Sequence, residues 1–191
     1  MSNFTRAEID ADIAMLTNKI SLGGRIIPSN SDLLKKCFFI PIVSIFLSVF
    51  STWVLYFIDS SKYSYISSEG YANYLVSEGW VVIVPTAIIG LFFSFMVYNN
   101  LIMYLTLSEE LRENSLVLRH LRKVVKRTVA LLLVIMLISA ILSGFISWLA
   151  FGVPAAELAL FFIVNLVVGM EINRLGAGLA LEKISSVIKK I

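Results

Sequence analysis

The order of apolar and polar residues divides the chain into long apolar runs separated by short polar segments. Three of the runs carry no Asp, Glu, Lys or Arg: residues 37–58, 81–107 and 128–151. A fourth run, residues 158–181, is apolar with a few polar interruptions. Crossing a hydrocarbon core of ~30 Å takes about 20 apolar residues in a helix, and every run is longer than that. The pattern predicts an all-α membrane protein with four transmembrane helices.

The segments between the runs are short. The chain starts with a polar segment, residues 1–36, and ends with a basic tail, residues 182–191. Residues 59–80, 108–127 and 152–157 are predicted to link the spans. Composition agrees, because 58% of the residues are hydrophobic and only 15% are charged, against about 25% charged residues in soluble proteins. A disordered chain is thereby excluded, and an ordinary soluble domain does not fit.

The basic residues are distributed very unevenly along the chain. Of the 16 Lys and Arg, all but Lys62 lie in residues 1–36, in residues 108–127, or at the end of the fourth run and in the tail. Cytoplasmic loops of membrane proteins carry an excess of Lys and Arg. We therefore expect both termini in the cytoplasm of a multi-pass inner-membrane protein, with residues 59–80 and 152–157 outside. Anionic lipid headgroups account for the positive charge without a nucleic-acid partner.

The leading segment has the pattern of a short amphipathic helix. Thr5 and Glu8 have the spacing of a capping box, in which each side chain bonds the other's backbone N–H. An apolar stripe at helical spacing follows, comprising Ile9, Ile13, Leu16 and Ile20. We expect this stripe to pack against protein. Its partner is the chain's own basic loop, another subunit or a foreign protein, and the sequence leaves these open.

The predicted outer segment 59–80 is rich in tyrosine. Its tyrosines are Tyr63, Tyr65, Tyr71 and Tyr74. Tyrosine favours interfaces because a large apolar ring carries a polar tip. The segment therefore either rests on lipid headgroups or forms a recognition surface for a partner protein.

A few polar residues interrupt the apolar runs and are candidates for a structural or functional role. Asn165 is predicted near the bilayer midplane, and Asn100 near the inner end of the second span. Glu171 and Arg174 are spaced i, i+3 and so share a helix face. They lock the inner end of the fourth span to a neighbour, serve transport or a proton relay, or take part in partner recognition, because ionisable residues within a membrane are often functional.

No catalytic or metal-binding motif is found in the sequence. It has no Walker loop, no His-Glu-x-x-His and no Cys cluster, and its one cysteine, Cys37, excludes an intrachain disulfide. The one histidine, His120, lies among basic residues and is predicted to be at the surface. Residues 108–127 are predicted to be helical with a turn near Asn114 and Ser115. We therefore expect a non-enzymatic protein without a cofactor or metal.

The layout resembles the TraS-type entry-exclusion proteins of conjugative plasmids, small bacterial inner-membrane proteins that stop a cell receiving a plasmid it already holds. The resemblance rests on size, several apolar spans, a polar N-terminal helix and residues 21–29 (SLGGRIIPS). It implies a protein that works by protein–protein contact, with a TraG-type component of the mating machinery as its partner. It also implies that the N-terminal helix, the basic loop or the tyrosine-rich segment sets specificity.

Other functions remain open from the sequence. The layout is also similar to the immunity proteins against channel-forming colicins, which are small four-span proteins with both termini inside. A small transporter or channel subunit using Asn165, Glu171 and Arg174 is a second class. An accessory subunit of a larger membrane complex is a third, and an oligomer is compatible with all of them.

Overall fold

The computed structural model describes residues 5–21, 26–63, 70–176 and 178. Of these residues 91% are helical, and none forms a strand. In chain order the helices are α1 (Arg6–Ser21), α2 (Asn30–Lys62), α3 (Gly70–Thr106), α4 (Glu109–Asn114), α5 (Leu116–Leu142) and α6 (Gly152–Arg174). A π-helical turn, Leu75–Gly79, lies within α3, and a 3₁₀ turn, Ser147–Phe151, precedes α6.

Four helices are long and apolar enough to cross a membrane: α2, α3, α5, and α6 together with its preceding 3₁₀ turn. Their most apolar windows have mean hydropathies of 2.1 to 2.3, yet at most a third of each window is buried inside the protein. Such long, outward-facing apolar surfaces are stable in lipid rather than in water. The prediction of an all-α chain with four helices long and apolar enough to span a membrane is confirmed for the described residues, and these helices indicate a multi-pass membrane protein.

The four long helices alternate in direction. α2 packs most extensively against α3, and α5 against α6. One core cluster joins all four of these helices, through Leu47, Phe93, Met136 and Leu160 among others. We call the end that holds α1, α4 and the start of α5 the basic end. The opposite end, where α2 ends and α3 begins, is the tyrosine end.

Small and polar residues let the helices approach closely. Ser51 on α2 donates a hydrogen bond to the Ser143 hydroxyl just after α5, at 3.0 Å. A Cβ on Gly152 would overlap the Ser139 hydroxyl, so a side chain there would push α6 away from α5. Hydroxyls and glycines therefore form the contacts inside this bundle, as is common between membrane helices.

The helix bounds differ from the apolar runs at the tyrosine end. The predicted linking segment 59–80 is largely helical, because α2 continues to Lys62 and α3 begins at Gly70. α5 ends at Leu142 rather than at residue 151. α6 begins at Gly152, so the predicted outer segment 152–157 is its first turn and a half. Residues 179–191, which include the basic tail, lie outside the described residues.

At the basic end, α1 lies against the chain's own α4 and α5. Leu16 joins Leu107, Leu111 and Leu118 in one apolar cluster. Ile9 joins Val117 and Leu175 in a second cluster, so the start and the end of the described chain lie at the same end of the bundle. The predicted turn at Ser115 is present, and the helix of the second span ends at Thr106, before α4 begins.

Candidate functional site

Glu157 is a carboxylate inside the membrane bundle. It lies on α6, and none of its surface is exposed to solvent or lipid. Its neighbours on α6, Val153 and Leu160, belong to the apolar core that joins the four helices. An ionisable residue at such a place is a functional-site hypothesis in its own right, because burying it is costly. The sequence predicts Glu157 in the linking segment 152–157, whereas the structure has this segment as the start of α6.

Three other helices surround the carboxyl group. A Cβ on Gly90 of α3 would lie 3.0 Å from Glu157 Oε1 and 2.9 Å from Cβ of Pro41 on α2. The Ser44 hydroxyl of α2 also lies beside Glu157, but it is directed to Met136 Sδ on α5 at 3.8 Å. Because Gly90 has no side chain, the carboxyl group of Glu157 fits between α3 and α6.

The carboxyl group of Glu157 has unused hydrogen-bonding capacity. Neither Oε1 nor Oε2 is exposed, and neither accepts a hydrogen bond of good geometry in the part of the chain that the structure describes, although the Ser44 hydroxyl lies within hydrogen-bonding reach of the carboxyl group. The buried hydroxyls on the same faces are directed elsewhere. Ser48 donates to the Ile45 carbonyl and Thr86 to the Val82 carbonyl, each at 2.8 Å. A polar group left without a partner in an apolar interior costs several kcal/mol when it is charged and less when it is neutral.

Asn165, by contrast, lies on the outer surface of α6. Its amide nitrogen donates to the Phe161 carbonyl of its own helix at 2.6 Å and contacts Met96 Sδ of α3 at 3.3 Å. Asn100 lies on α3, one turn beyond Met96, and is also exposed. Gly169 lies one turn beyond Asn165, and a Cβ there would touch nothing within 4 Å. Asn165, Asn100 and Gly169 form what we call the open face of α3 and α6.

Glu171 connects the inner surfaces of two helices at the basic end. Its Oε2 lies 3.1 Å from Arg174 Nη2 and 3.5 Å from Nε2 of His120 on α5. The prediction of His120 as a surface residue is wrong, since its side chain is only 15% exposed. His120 shares the inward face of α5 with Val117 and Leu121, which explains its burial. The structure therefore does not bring Glu171 and Arg174 together with Asn165 and Asn100.

The apolar stripe of α1 is occupied by the chain itself. Ile9 and Leu16 are buried, and Ile13 is partly buried against the same surface; the side chain of Ile20 lies outside the described residues. The face also carries Asp12, which is 7% exposed. Asp12 Oδ2 accepts hydrogen bonds from the Ser115 hydroxyl at 2.7 Å and from the Val117 N–H at 3.0 Å. It thereby bonds the first turn of α5.

The tyrosines are also used within the chain. The Tyr71 hydroxyl lies 3.0 Å from Thr52 Oγ1 and bonds the Val49 carbonyl at 3.3 Å. The Tyr74 hydroxyl donates to Asp59 Oδ2 at 3.2 Å. Tyr63 is 52% exposed, and Tyr65 lies outside the described residues. Two of the four predicted recognition tyrosines therefore hold α3 against α2.

A cavity of about 410 Å³ opens between the helices at the tyrosine end. Its lining includes Asp59, Tyr74, Glu78, Thr52, Val82 and Ala150. Two carboxylates, Asp59 and Glu78, stand at this cavity, and the π-helical turn Leu75–Gly79 forms part of its wall. Such turns occur frequently at functional sites. The cavity lies at the same end of α6 as Glu157.

Sequence reasoning missed Glu157 and Asp12, although both carry a signal. Gly152 and Pro154 mark a helix start, because proline is tolerated in the first turn, and this start precedes Glu157. Ile9, Asp12, Ile13 and Leu16 follow the i, i+3, i+4, i+7 spacing of one helix face. Among the residues described, no group of three or more His, Cys, Asp or Glu could hold a metal ion.

No family model, curated protein or solved structure matches this chain.

Proposed function

We propose that this protein is non-enzymatic and acts within the membrane by binding a transmembrane helix of another protein at the open face of α3 and α6. The observation that carries the proposal is the exposure of the Asn165 amide on a lipid-facing surface. Amides inside a bilayer find partners on neighbouring helices, where such bonds average about 0.6 kcal/mol. Within its own chain, Asn165 bonds its own helix and a weakly accepting sulfur.

The shape of the open face supports the same proposal. α3 and α6 run in the same direction, so Asn100 and Gly169, each one turn beyond the Met96–Asn165 contact, lie at the same level. Small residues at a helix surface let another backbone approach closely, and polar residues beside them provide hydrogen bonds. Because a Cβ on Gly169 would meet no atom within 4 Å, we expect the backbone of a second helix to approach α6 closely there.

The resemblance to entry-exclusion proteins supplies the biological setting of the proposal. In that setting the partner is a TraG-type component of the mating machinery, and the protein prevents redundant plasmid transfer into a bacterial cell. The positive-inside rule supports a cytoplasmic location of the basic end. The stripe of α1 and the Tyr71–Tyr74 region make contacts inside the chain, so the exposed open face is the better candidate for partner recognition.

Replacing Gly169 with Leu tests this proposal, because a Cβ at this position has no atom of the chain within 4 Å and the new side chain occupies the open face. We expect G169L to lose partner capture and exclusion activity at unchanged protein level. N165L removes only the amide bond and should weaken partner binding about threefold. The matched control is A130L, which adds the same bulk at an exposed position of α5.

Site-specific photo-crosslinking from position 166, an exposed position of α6 close to Gly169, provides the readout for these variants in living cells. A crosslink to another membrane protein, lost in G169L and kept in A130L, supports the proposal. Crosslinking only to a second copy of this chain, or full exclusion activity in G169L, contradicts it.

A small transporter or channel subunit is the second candidate function. The specific observation in its favour is Glu157, an enclosed carboxyl group beneath a cavity with two carboxylates. Solute or ion flux through purified protein in vesicles, abolished by E157Q, distinguishes this function from lateral partner binding.

A further inference from the structure

We propose that Glu157 is a proton-binding site in the membrane, held as a neutral carboxylic acid and exchanging its proton with the cavity at the tyrosine end. The inference is independent of lateral partner binding at the open face. It rests on the enclosure of the carboxyl group, on its lack of cationic neighbours and on its position below the cavity.

The surroundings of Glu157 do not supply a positive charge. The helix stretches packed around it are residues 41–52 of α2, 82–94 of α3 and 132–143 of α5, and they contain no Asp, Glu, His, Lys, Arg, Cys or Tyr. On α6 itself, the next ionisable residue is Glu171, several turns away. A carboxylate in this place would be an unpaired charge in an apolar core, which is far more costly than a neutral acid.

The surroundings also favour a proton over a metal ion. Sodium and similar cations are held by several oxygen ligands. Beside the Glu157 carboxyl group lies the hydroxyl oxygen of Ser44. The nearby hydroxyls of Ser48 and Thr86 donate to carbonyls of their own helices and are not arranged around a cation. Pro41, Gly90 and the apolar side chains of the core fill the remaining space. A proton needs no such shell, and it turns one carboxyl oxygen into a hydrogen-bond donor.

The route for the proton follows from the register of α2 and α3. Gly79 lies against Thr52, Gly90 against Pro41, and Ser94 bonds the Cys37 carbonyl, so the two helices are antiparallel with a fixed pairing. Thr52 and Val82 line the cavity. Gly90, at the level of Glu157, lies eight residues beyond Val82, or about 12 Å at ~1.5 Å per residue.

Fully buried hydroxyls lie in the interval between the cavity and Glu157. They belong to Ser48, Thr86 and Ser44, each with no exposed surface. In the other direction, Arg174 lies about 25 Å along α6 from Glu157.

A second cavity, of about 330 Å³, begins one turn towards the basic end at Cys37 and Ser94, but no carboxylate among the described residues lines it. The tyrosine-end cavity carries two carboxylates, Asp59 and Glu78, and the buried hydroxyls of α2 and α3 lie between it and Glu157, so we infer that the proton exchanges there.

The experiment uses the intact protein in lipid vesicles and a hydrophobic carbodiimide, which reacts with protonated carboxylic acids in apolar surroundings. We expect mass spectrometry to find the adduct on Glu157, with a yield that falls about tenfold per pH unit above the titration midpoint. The labelling uses the wild-type protein, so the result does not depend on whether a substituted protein folds. D12N is the matched control and should keep the adduct on Glu157.

Two outcomes of this labelling overturn the proposal. If Glu157 is not modified at any pH at which the protein is folded, it is not an exchangeable acid. If excess Na⁺ at constant pH protects Glu157 from modification, the site binds a metal cation rather than a proton.

Infrared spectroscopy tests the route. The carbonyl band of a protonated acid should be present in the wild type and absent in E157Q, and it should shift when the protein is moved into heavy water. We expect S48A and T86V to slow this shift severalfold, and S94A, which removes the hydroxyl at the cavity on the opposite side of Glu157, to leave it unchanged. Slowing by S94A alone would overturn the proposed route.

Discussion

Two carboxyl groups, those of Asp12 and Glu157, are buried in the part of the chain that the structure describes, and their surroundings differ. Asp12, at the basic end, accepts two hydrogen bonds from the first turn of α5. Glu157, inside the bundle, accepts none in the described chain and is more completely enclosed. The first is part of the architecture, because its bonds hold α1 in place. The second leaves its bonding capacity unused, which is the property of a group available for a ligand or a proton.

The comparison shows how burial and bonding separate structural from functional polar residues. A buried carboxylate whose oxygens are bonded stabilises the fold, and its removal leaves donors unsatisfied. A buried carboxyl group without bonds contributes little to stability, so replacing it should cost little. The two residues therefore predict opposite responses to the same kind of substitution.

The largest expected effect is at Asp12. Asp12→Ala leaves the Ser115 hydroxyl and the Val117 N–H without their acceptor, and hydrogen bonds to charged groups are worth about 1.5–3 kcal/mol each. We expect the free energy of α1 undocking to fall by about 3 kcal/mol, measured as faster amide hydrogen exchange in α1 and in the first turn of α5. Asp10→Ala, at an exposed position of the same helix, should change it by less than about 0.5 kcal/mol. Equal effects of Asp12→Ala and Asp10→Ala would contradict the assignment of Asp12 as the carboxylate that holds α1 in place.

The next effect is expected from the glycine beside Glu157. Gly90→Leu forces a side chain between Pro41 and the carboxyl group, and overpacking of this kind costs about 1–3 kcal/mol. Thermal or denaturant unfolding in mild detergent should show the loss. Gly169→Leu, which adds the same side chain to the open face, should leave bundle stability unchanged within about 0.5 kcal/mol. A stable G90L variant would show that α2, α3 and α6 are not closely packed around Glu157.

Substitution of Glu157 should change the free energy of unfolding only slightly. Glu157→Leu replaces an unbonded carboxyl group with an apolar group of similar size, so the free energy of unfolding should change by less than about 1 kcal/mol, or rise. The same unfolding measurement checks it. A loss of several kcal/mol would mean that Glu157 has hydrogen-bonding partners and stabilises the fold as Asp12 does.

The smallest expected effect is at Glu8, an exposed carboxylate that accepts hydrogen bonds from Thr5. Glu8 accepts hydrogen bonds from the backbone N–H and then the hydroxyl of Thr5, which lower its pKa from the usual 4.5. Because the pKa is lowered in the folded state, the stabilisation of the start of α1 is present above about 4.5 and is lost as pH falls through the lowered value. Amide exchange at the start of α1 should therefore rise at acid pH, after correction for intrinsic rates. Glu8→Gln should remove this pH dependence, and an unchanged profile would contradict the assignment.

Much of the fold follows from hydropathy alone, because lipid imposes long apolar helices on the chain. The capping box of Thr5 and Glu8 and the turn at Ser115 were also predictable, since both depend on local hydrogen bonds. Orientation in the membrane stays a prediction that rests on the distribution of Lys and Arg.

The site is harder to predict because an apolar run ends at a charged residue, whereas a helix does not have to. The fourth apolar run begins after Glu157, although the helix that contains it starts at Gly152. Asn165 was predicted only by its depth, near the bilayer midplane, and the structure adds that its side chain lies on the surface of the bundle. Hydropathy measures what a residue prefers, whereas the face it occupies depends on the packing of neighbouring helices. That packing is set by contacts such as Gly90 with Pro41, which are far apart in the sequence.

The central claim is that α6 has an enclosed face around Glu157 and an open face around Asn165. Nitroxide scanning from position 153 to 169 tests it most directly, with single cysteines introduced into a Cys37→Ala background and the protein reconstituted in lipid. We predict low accessibility to oxygen, a lipid-soluble relaxation agent, at positions 153, 156, 157 and 160, and high accessibility at positions 162, 165, 166 and 169. High accessibility at 157 together with low accessibility at 165 would contradict the account.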